Sequence, residues 1–225
     1  SGFSRYHVTG PGARSWIDSL TASRLPKPGR ISLAYFADDR GRILTEMSVM
    51  AWSEDEVGLI TAATAQWHDL EILTRQAPEG ITITDNSKVM DCLLVTGPKA
   101  RDILGPLTEG HDLSAPWLSV SMQGTVAGQA CALARVSFAG ELGWEIHCPV
   151  DAAPAIWDAV TAAGAKPFGM FALNSLRLEK GYRAWKGELS TDYSLLEGGL
   201  DHFTRLAQDG HLPAEPPLQA QKQRA

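Results

Sequence analysis

Two glutamates stand in matching local surroundings. Glu46 follows Gly41 in "GRILTEM" and Glu145 follows Gly140 in "GELGWEI", at the same spacing and each on a stretch that alternates apolar and polar residues. A lone strand glutamate usually faces solvent. Here, however, the neighbours are apolar: Leu44 and Met47 beside one acid, Trp144 and Ile146 beside the other. A carboxylate so placed takes up a proton, stabilises an adjacent cation, or accepts two N–H groups from one planar edge. If the two segments face one another, the acids would line opposite walls of one central cleft.

The elements that would position them are written twice. "VTGPGARSWIDSLT" begins at Val8 and "VTGPKARDILGPLT" at Val95, sharing a V-T-G-P-x-A-R frame and a closing Leu-Thr. In each copy a valine ends an extended segment, glycine turns the backbone, and proline sits where a first helical turn begins. The helix then carries Ala13, Trp16, Ile17 and Leu20 on one face, with Ala100, Ile103, Leu104 and Leu107 on the corresponding face of the second copy. Neither copy has the glycine spacing or the Lys-Ser/Thr pair of a phosphate loop, so the repeat is structural.

The segments after each copy match as well. "RISLAYFADDRGRILTEMSVMAW" with "VGLITA", and later "SVSMQGTVAGQACALARVSFAGELGWEIHCPV", alternate like antiparallel strands punctuated by turn residues. Amphipathic helices close the halves, "AQWHDLEILTRQ" in the first and "DAAPAIWDAVTAAG" in the second. The pattern predicts an α+β domain of two duplicated half-domains, with antiparallel sheets and packed helices, over residues 1–206.

The 225 residues are 44% apolar and 20% charged with a formal charge of −6, the composition of a soluble globular protein. No apolar run reaches the roughly 18–20 residues of a membrane helix, and no basic stripe suits nucleic acid, so neither partner is expected. Cys92, Cys131 and Cys148 form no C-x-x-C pair, so neither a disulfide framework nor a metal site is expected. Buried thiols in a reducing compartment, the cytoplasm, is the reading they support. The opening "SGFSRYHVTG" reads as cut from a longer chain, and the Ala-, Pro- and Gln-rich residues 207–225 as a disordered or aberrant tail.

The stretch "FGMFALNSLRLEKGYRAWKGELSTDYSLLEGGLDHF", together with "DDRGRILTEMSV", "GLITAATAQWHDLEI", "LLVTGPKARDIL" and "VSFAGELGWEIHCP", resembles a known family. It is similar to the tetrahydrofolate-binding region of dimethylglycine and sarcosine dehydrogenases and, more distantly, to the aminomethyltransferase (T-protein) of the glycine cleavage system. The match runs from about Tyr6 to Phe203. The resemblance implies the T-protein-like folate-binding fold and capture, on tetrahydrofolate, of the one-carbon unit of an iminium made from dimethylglycine or sarcosine, giving 5,10-methylenetetrahydrofolate. It also implies FAD in a separate flavoprotein domain or subunit, because no G-x-G-x-x-G flavin fingerprint occurs here.

Carried over position by position, the resemblance makes Glu46 the catalytic carboxylate, where many relatives have Asp, and makes Glu145 the acid that grips the amino-pyrimidine edge of the pterin. Tyr35 is a further cofactor-binding candidate, although core packing suits it and Phe36 better. Trp144 is another candidate that alternation assigns to the core. Arg177 and Arg183 belong to a charged set with Glu179 and Lys180, read either as a solvated face or as support for the cleft. Trp185 reads as a core or interdomain anchor. His68 and Asp69 match the branch, with a surface or capping histidine the plainer reading. Leu173 stands where the T-protein has an arginine reaching the folate tail, and Ser194-Leu195 replaces a turn-setting Thr-Pro ahead of Glu197.

Three alternatives stay open: a binding-only module, an inactive truncated module, and a folate-dependent methyltransferase or demethylase of the same fold. The iron–sulfur maintenance branch has a K-G-C-Y-x-G-Q-E signature, whereas "EKGYRAWKGE" here lacks the cysteine.

Overall fold

Alternation in "FSRYHVT" turns Tyr6 and Val8 inward at 2% and 0% exposure and makes strand β1 (Phe3–Thr9). β1 opens the computed structural model of the chain, which describes residues 2–205 and 221–222. The break in order expected near Leu206, and the tail beyond it, lie outside the described residues apart from 221–222. Two compact units make up the chain. The first holds Gly2–Pro28, Ser32–Asp85 and the segment from Arg183, and the second holds Gly29–Ile31 and Asn86–Tyr182.

In the first unit β1 is followed by α1 (Ala13–Leu20), β2 (Arg30–Ala37), β3 (Ile43–Ala51), β4 (Glu56–Ala62), α2 (Gln66–Gln76) and β5 (Thr82–Asp85). The sheet order is β2-β3-β4-β1-β5. Helix α1 buries Ala13 and Ile17, with Trp16 and Leu20 partly covered, on the face expected from their spacing. These join Val8, Phe36, Met47, Leu59 and Leu73 in one core, where each fully buried large side chain contributes about 1.5–3 kcal/mol.

The segment from Arg183 closes a second cluster of this unit. Trp185, Leu189, Leu195 and Leu200 pack with Ala22, Tyr35, Ile43 and Ala65. Backbone bonds from Ile43 N–H to Tyr193 O (3.0 Å) and from Leu195 N–H to Gly41 O (3.2 Å) tie it to the turn between β2 and β3. Ser194 and Glu197 then hydrogen-bond each other's backbone N–H in a reciprocal box, which sets the turn without a proline.

The second unit runs β6 (Met90–Thr96), α3 (Ala100–Leu104), β7 (Thr108–Glu109), β8 (Val120–Ser121), β9 (Thr125–Val126), β10 (Gln129–Ala130), β11 (Ala132–Ala134), β12 (Gly143–Pro149), α4 (Ala153–Ala162) and α5 (Met170–Glu179). Its main sheet has the order β6-β12-β11-β8, and β10-β9-β7 form a small separate one. Helix α3 is shorter than α1 and gives way to a 3₁₀ turn over Gly105–Leu107, because Pro106 has no N–H for the next helical bond.

The duplication is visible in the connectivity. Counting strands from each V-T-G-P frame, both main sheets place the second, third, fourth and first in that order: β2-β3-β4-β1 and β8-β11-β12-β6. Both frames also turn at a glycine of positive φ, Gly10 at 133° and Gly97 at 118°. Each accepts the first bond of the helix, from Ala13 and Ala100 respectively, at 3.0 Å. The fold is the α+β arrangement of duplicated halves expected from the sequence.

Candidate functional site

Glu46 lies on β3 in the first unit, half-buried between fully buried Thr45 and Met47. Its Oε1 accepts the backbone N–H of Trp185 at 3.3 Å. The Tyr35 phenol, 2% exposed on β2, hydrogen-bonds the same carboxylate. Burial and the Glu46 charge raise the Tyr35 pKa, while Arg183 tempers the rise, so the phenol stays protonated and donates. Tyr35 is therefore a core residue that also orients Glu46, with its ring 5.5 Å from that of Phe203. Arg183 is exposed.

A second carboxylate lies behind Glu46. Asp69, at 0% exposure in the first turn of α2, accepts the Thr61 hydroxyl and pairs with His68 Nδ1 at 2.9 Å. Thr61 Oγ1 also lies 3.3 Å from the Glu46 carbonyl oxygen. This network fixes α2 against β4, which in turn pairs with the strand that carries Glu46. An aspartate at the start of an amphipathic helix signals a cap, and periodicity alone does not show that it is fully enclosed.

In the second unit, Glu145 and His147 share one face of β12, and the pairing with β6 sets Cys92 opposite His147. One ligand atom from each of the three lies within 4.8 Å of the others. The Glu145 side chain keeps 22% of its surface exposed, whereas His147 keeps 4%. His147 Nε2 lies 3.2 Å from Glu145 Oε2, yet neither ring nitrogen makes a hydrogen bond of ordinary geometry. Burial disfavours the imidazolium, but Cys92 and Glu145 together outweigh it, and the His147 pKa is pushed up to about 10. Glu145 and His147 are two residues apart and so share a strand face by alternation, whereas Cys92 is distant in the chain and only the strand register adds it.

Trp144 is 1% exposed on the other face of β12, within the core beside Ile146, and Arg101 and Arg135 lie 5.7 and 5.9 Å from its ring centre. Arg177 is not on a solvated face. It is 5% exposed, its guanidinium donates to Asn174 Oδ1 and to the Tyr182 carbonyl, and it holds the turn that ends α5. Trp185 is core in the first unit.

The two glutamates are not at equivalent positions of the repeat, contrary to their matched spacing from glycine. Gly41 lies between the second and third strands of its half, and Gly140 between the third and fourth of its own. Aligning the halves on Val8 and Val95 sets Glu145 against Gly58 and His147 against Ile60. Counting along the chain matched two turns that the topology keeps distinct.

Comparison with known proteins converges on one family. The model of the GCVT N-terminal domain matches residues 1–208. Mitochondrial dimethylglycine dehydrogenase of Homo sapiens is 33% identical over 215 residues, 92% of this chain and 25% of that protein. An aminomethyltransferase of Picosynechococcus sp. is 28% identical over 97% of this chain and 61% of its own length. Among solved structures, the glycine cleavage system aminomethyltransferase T of Bartonella henselae superposes with a TM-score of 0.86 at 19% identity, over 100% of this chain and 62% of that one. The heterotetrameric sarcosine oxidase of Corynebacterium sp. U-96 superposes with a TM-score of 0.54 at 17% identity, over 75% of this chain and 85% of that one. At those identities the structural likenesses establish the fold. The chain spans a quarter of the length of the dimethylglycine dehydrogenase it matches. No helix among the described residues is long and apolar enough to cross a membrane.

Proposed function

The chain belongs to the GCVT N-terminal domain family, and we propose that it serves as a tetrahydrofolate-binding one-carbon transfer module. In this reading it captures the methylene unit of an iminium derived from dimethylglycine or sarcosine as 5,10-methylenetetrahydrofolate. The iminium would come from an FAD-bearing flavoprotein domain or subunit.

The observation that carries the reading is the setting of Glu46. A half-buried carboxylate oriented by the Tyr35 phenol and the Trp185 N–H has the donor set of a positioned acid–base group. Bound tetrahydrofolate would supply the amine nucleophile. Glu46 would stabilise the cationic carbon before attack and take the proton released from the attacking nitrogen, with Tyr35 holding the carboxylate in one orientation throughout. Exposed Arg183 would add positive charge near the anionic parts of the ligands. Glu145, partly exposed on β12, would accept two N–H groups of the amino-pyrimidine edge in a bidentate fork.

Calorimetric titration with tetrahydrofolate tests this. The intact chain is expected to bind, Glu145→Gln to bind about 10- to 100-fold more weakly through loss of one charge-assisted pair of bonds, and Glu46→Gln to retain most of the affinity. No heat of binding with the intact chain would overturn the module reading, and unchanged affinity in Glu145→Gln would overturn the pterin-edge assignment.

A further inference from the structure

The Cys92, Glu145 and His147 cluster of the second unit has the composition of a metal site. Thiolate, imidazole and carboxylate together suit zinc and its neighbours among divalent transition metals, and the sulfur disfavours magnesium and calcium. Three protein ligands leave a fourth position for water, the arrangement of open zinc sites.

Three observations independent of that chemistry point the same way. His147 is 4% exposed, and apart from the 3.2 Å approach of Nε2 to Glu145 Oε2 its ring nitrogens lack a hydrogen bond of ordinary geometry, whereas buried polar groups in folded proteins are almost always satisfied. The fold does not require metal-ligating side chains here. At the equivalent places of the first half stand Arg5, Gly58 and Ile60, and the strand pairing is the same without them. The donor atoms also lie within 4.8 Å of one another, against a tetrahedral edge of about 3.5 Å for ordinary zinc–ligand lengths. Closing that difference would fall to rotation of the partly exposed Cys92 and Glu145 side chains.

We propose that Cys92, Glu145 and His147 bind one zinc-class divalent cation on the face of β12 opposite Trp144. On binding, the Cys92 thiol and the His147 imidazolium each give up one proton to solvent as the sulfur–metal and nitrogen–metal bonds form. The site shares Glu145 with the folate reading but does not rest on it, since Cys92 has no part in holding the pterin.

The test is titration of the purified chain with Zn²⁺ against a chromophoric chelator and with Co²⁺ followed by absorption. One equivalent of Zn²⁺ should bind, and Co²⁺ should give a thiolate-to-cobalt charge-transfer band. Cys92→Ala and His147→Asn should each weaken binding at least tenfold, and Cys92→Ala should remove the band. Cys131→Ala should change neither, although Cys131 Sγ lies 3.6 Å from His111 Nε2 in a second thiol–imidazole contact of this unit. Far-UV circular dichroism of each variant separates loss of the site from loss of the fold, and the partly exposed Cys92 position supplies a variant that keeps the fold. With both proteins stripped of metal, tetrahydrofolate titration of Cys92→Ala should match that of the intact chain, which keeps this result apart from the folate reading. Absence of binding by the intact chain, a charge-transfer band that survives Cys92→Ala, or loss of the band in Cys131→Ala in its place would each overturn the proposal.

Discussion

The Tyr35 phenol and the Glu46 carboxylate form a hydrogen-bonded pair across the adjacent strands β2 and β3. Deleting only the hydroxyl in Tyr35→Phe keeps the ring packed on Phe203 and should lower stability by about 1 kcal/mol. If the two groups act together, Tyr35→Phe should cost less in a Glu46→Gln background, with a coupling of about 0.5–3 kcal/mol in urea unfolding. Additive effects would mean that the phenol is held by packing alone.

Gly10 and Gly97 start the two repeats with nearly the same φ, but their surroundings differ. A Cβ at Gly10 would clash with the Gly80 carbonyl oxygen, whereas one at Gly97 would meet nothing within 4 Å. Gly97→Ala should therefore cost only the backbone strain, about 1–3 kcal/mol. Gly10→Ala must also displace the Gly80 backbone and should exceed it clearly. Thermal unfolding of the two variants ranks them, and equal losses would contradict this account of the turn.

Asp69→Asn should cost about 1–3 kcal/mol, because the Thr61 hydroxyl and His68 lose a charged acceptor in a fully enclosed place. Glu71→Gln, two residues on in the same helix, removes only an exposed pair with Arg75 and should stay within about 0.5 kcal/mol. Urea midpoints of the two variants read the contrast directly.

The repeated V-T-G-P frame carried much of the fold in plain view. Helix α1 begins and ends where its apolar spacing indicates, and each half is a strand, a helix and further antiparallel strands. Strand order was beyond reach, because alternation fixes which face a residue takes and leaves open which strand lies beside it. For that reason Glu46 and Glu145 looked equivalent, and Cys92 with His147 looked unrelated. The return of Trp185 and Leu189 to the core of the first unit is likewise a long-range event with no local signature. Arg177 stayed open between a solvated face and support for the cleft because a helical periodicity cannot show that a guanidinium turns back to hold its own helix end.

The Ser194 and Glu197 box makes the closing segment sensitive to acid. Two donors from Ser194, the backbone N–H first and the hydroxyl second, favour the charged carboxylate and lower the Glu197 pKa below its ordinary 4.5. An acid whose pKa is lower in the folded state contributes stability that is fully present above the unfolded value and is lost as pH falls through the folded one. The stability curve of the intact chain should therefore steepen below about pH 4.5. Glu197→Gln, which cannot ionise, should be less stable at neutral pH and should approach the intact chain as pH falls through that window. A difference that stays constant from neutral pH downwards would place the contribution of Glu197 in its shape rather than in its charge.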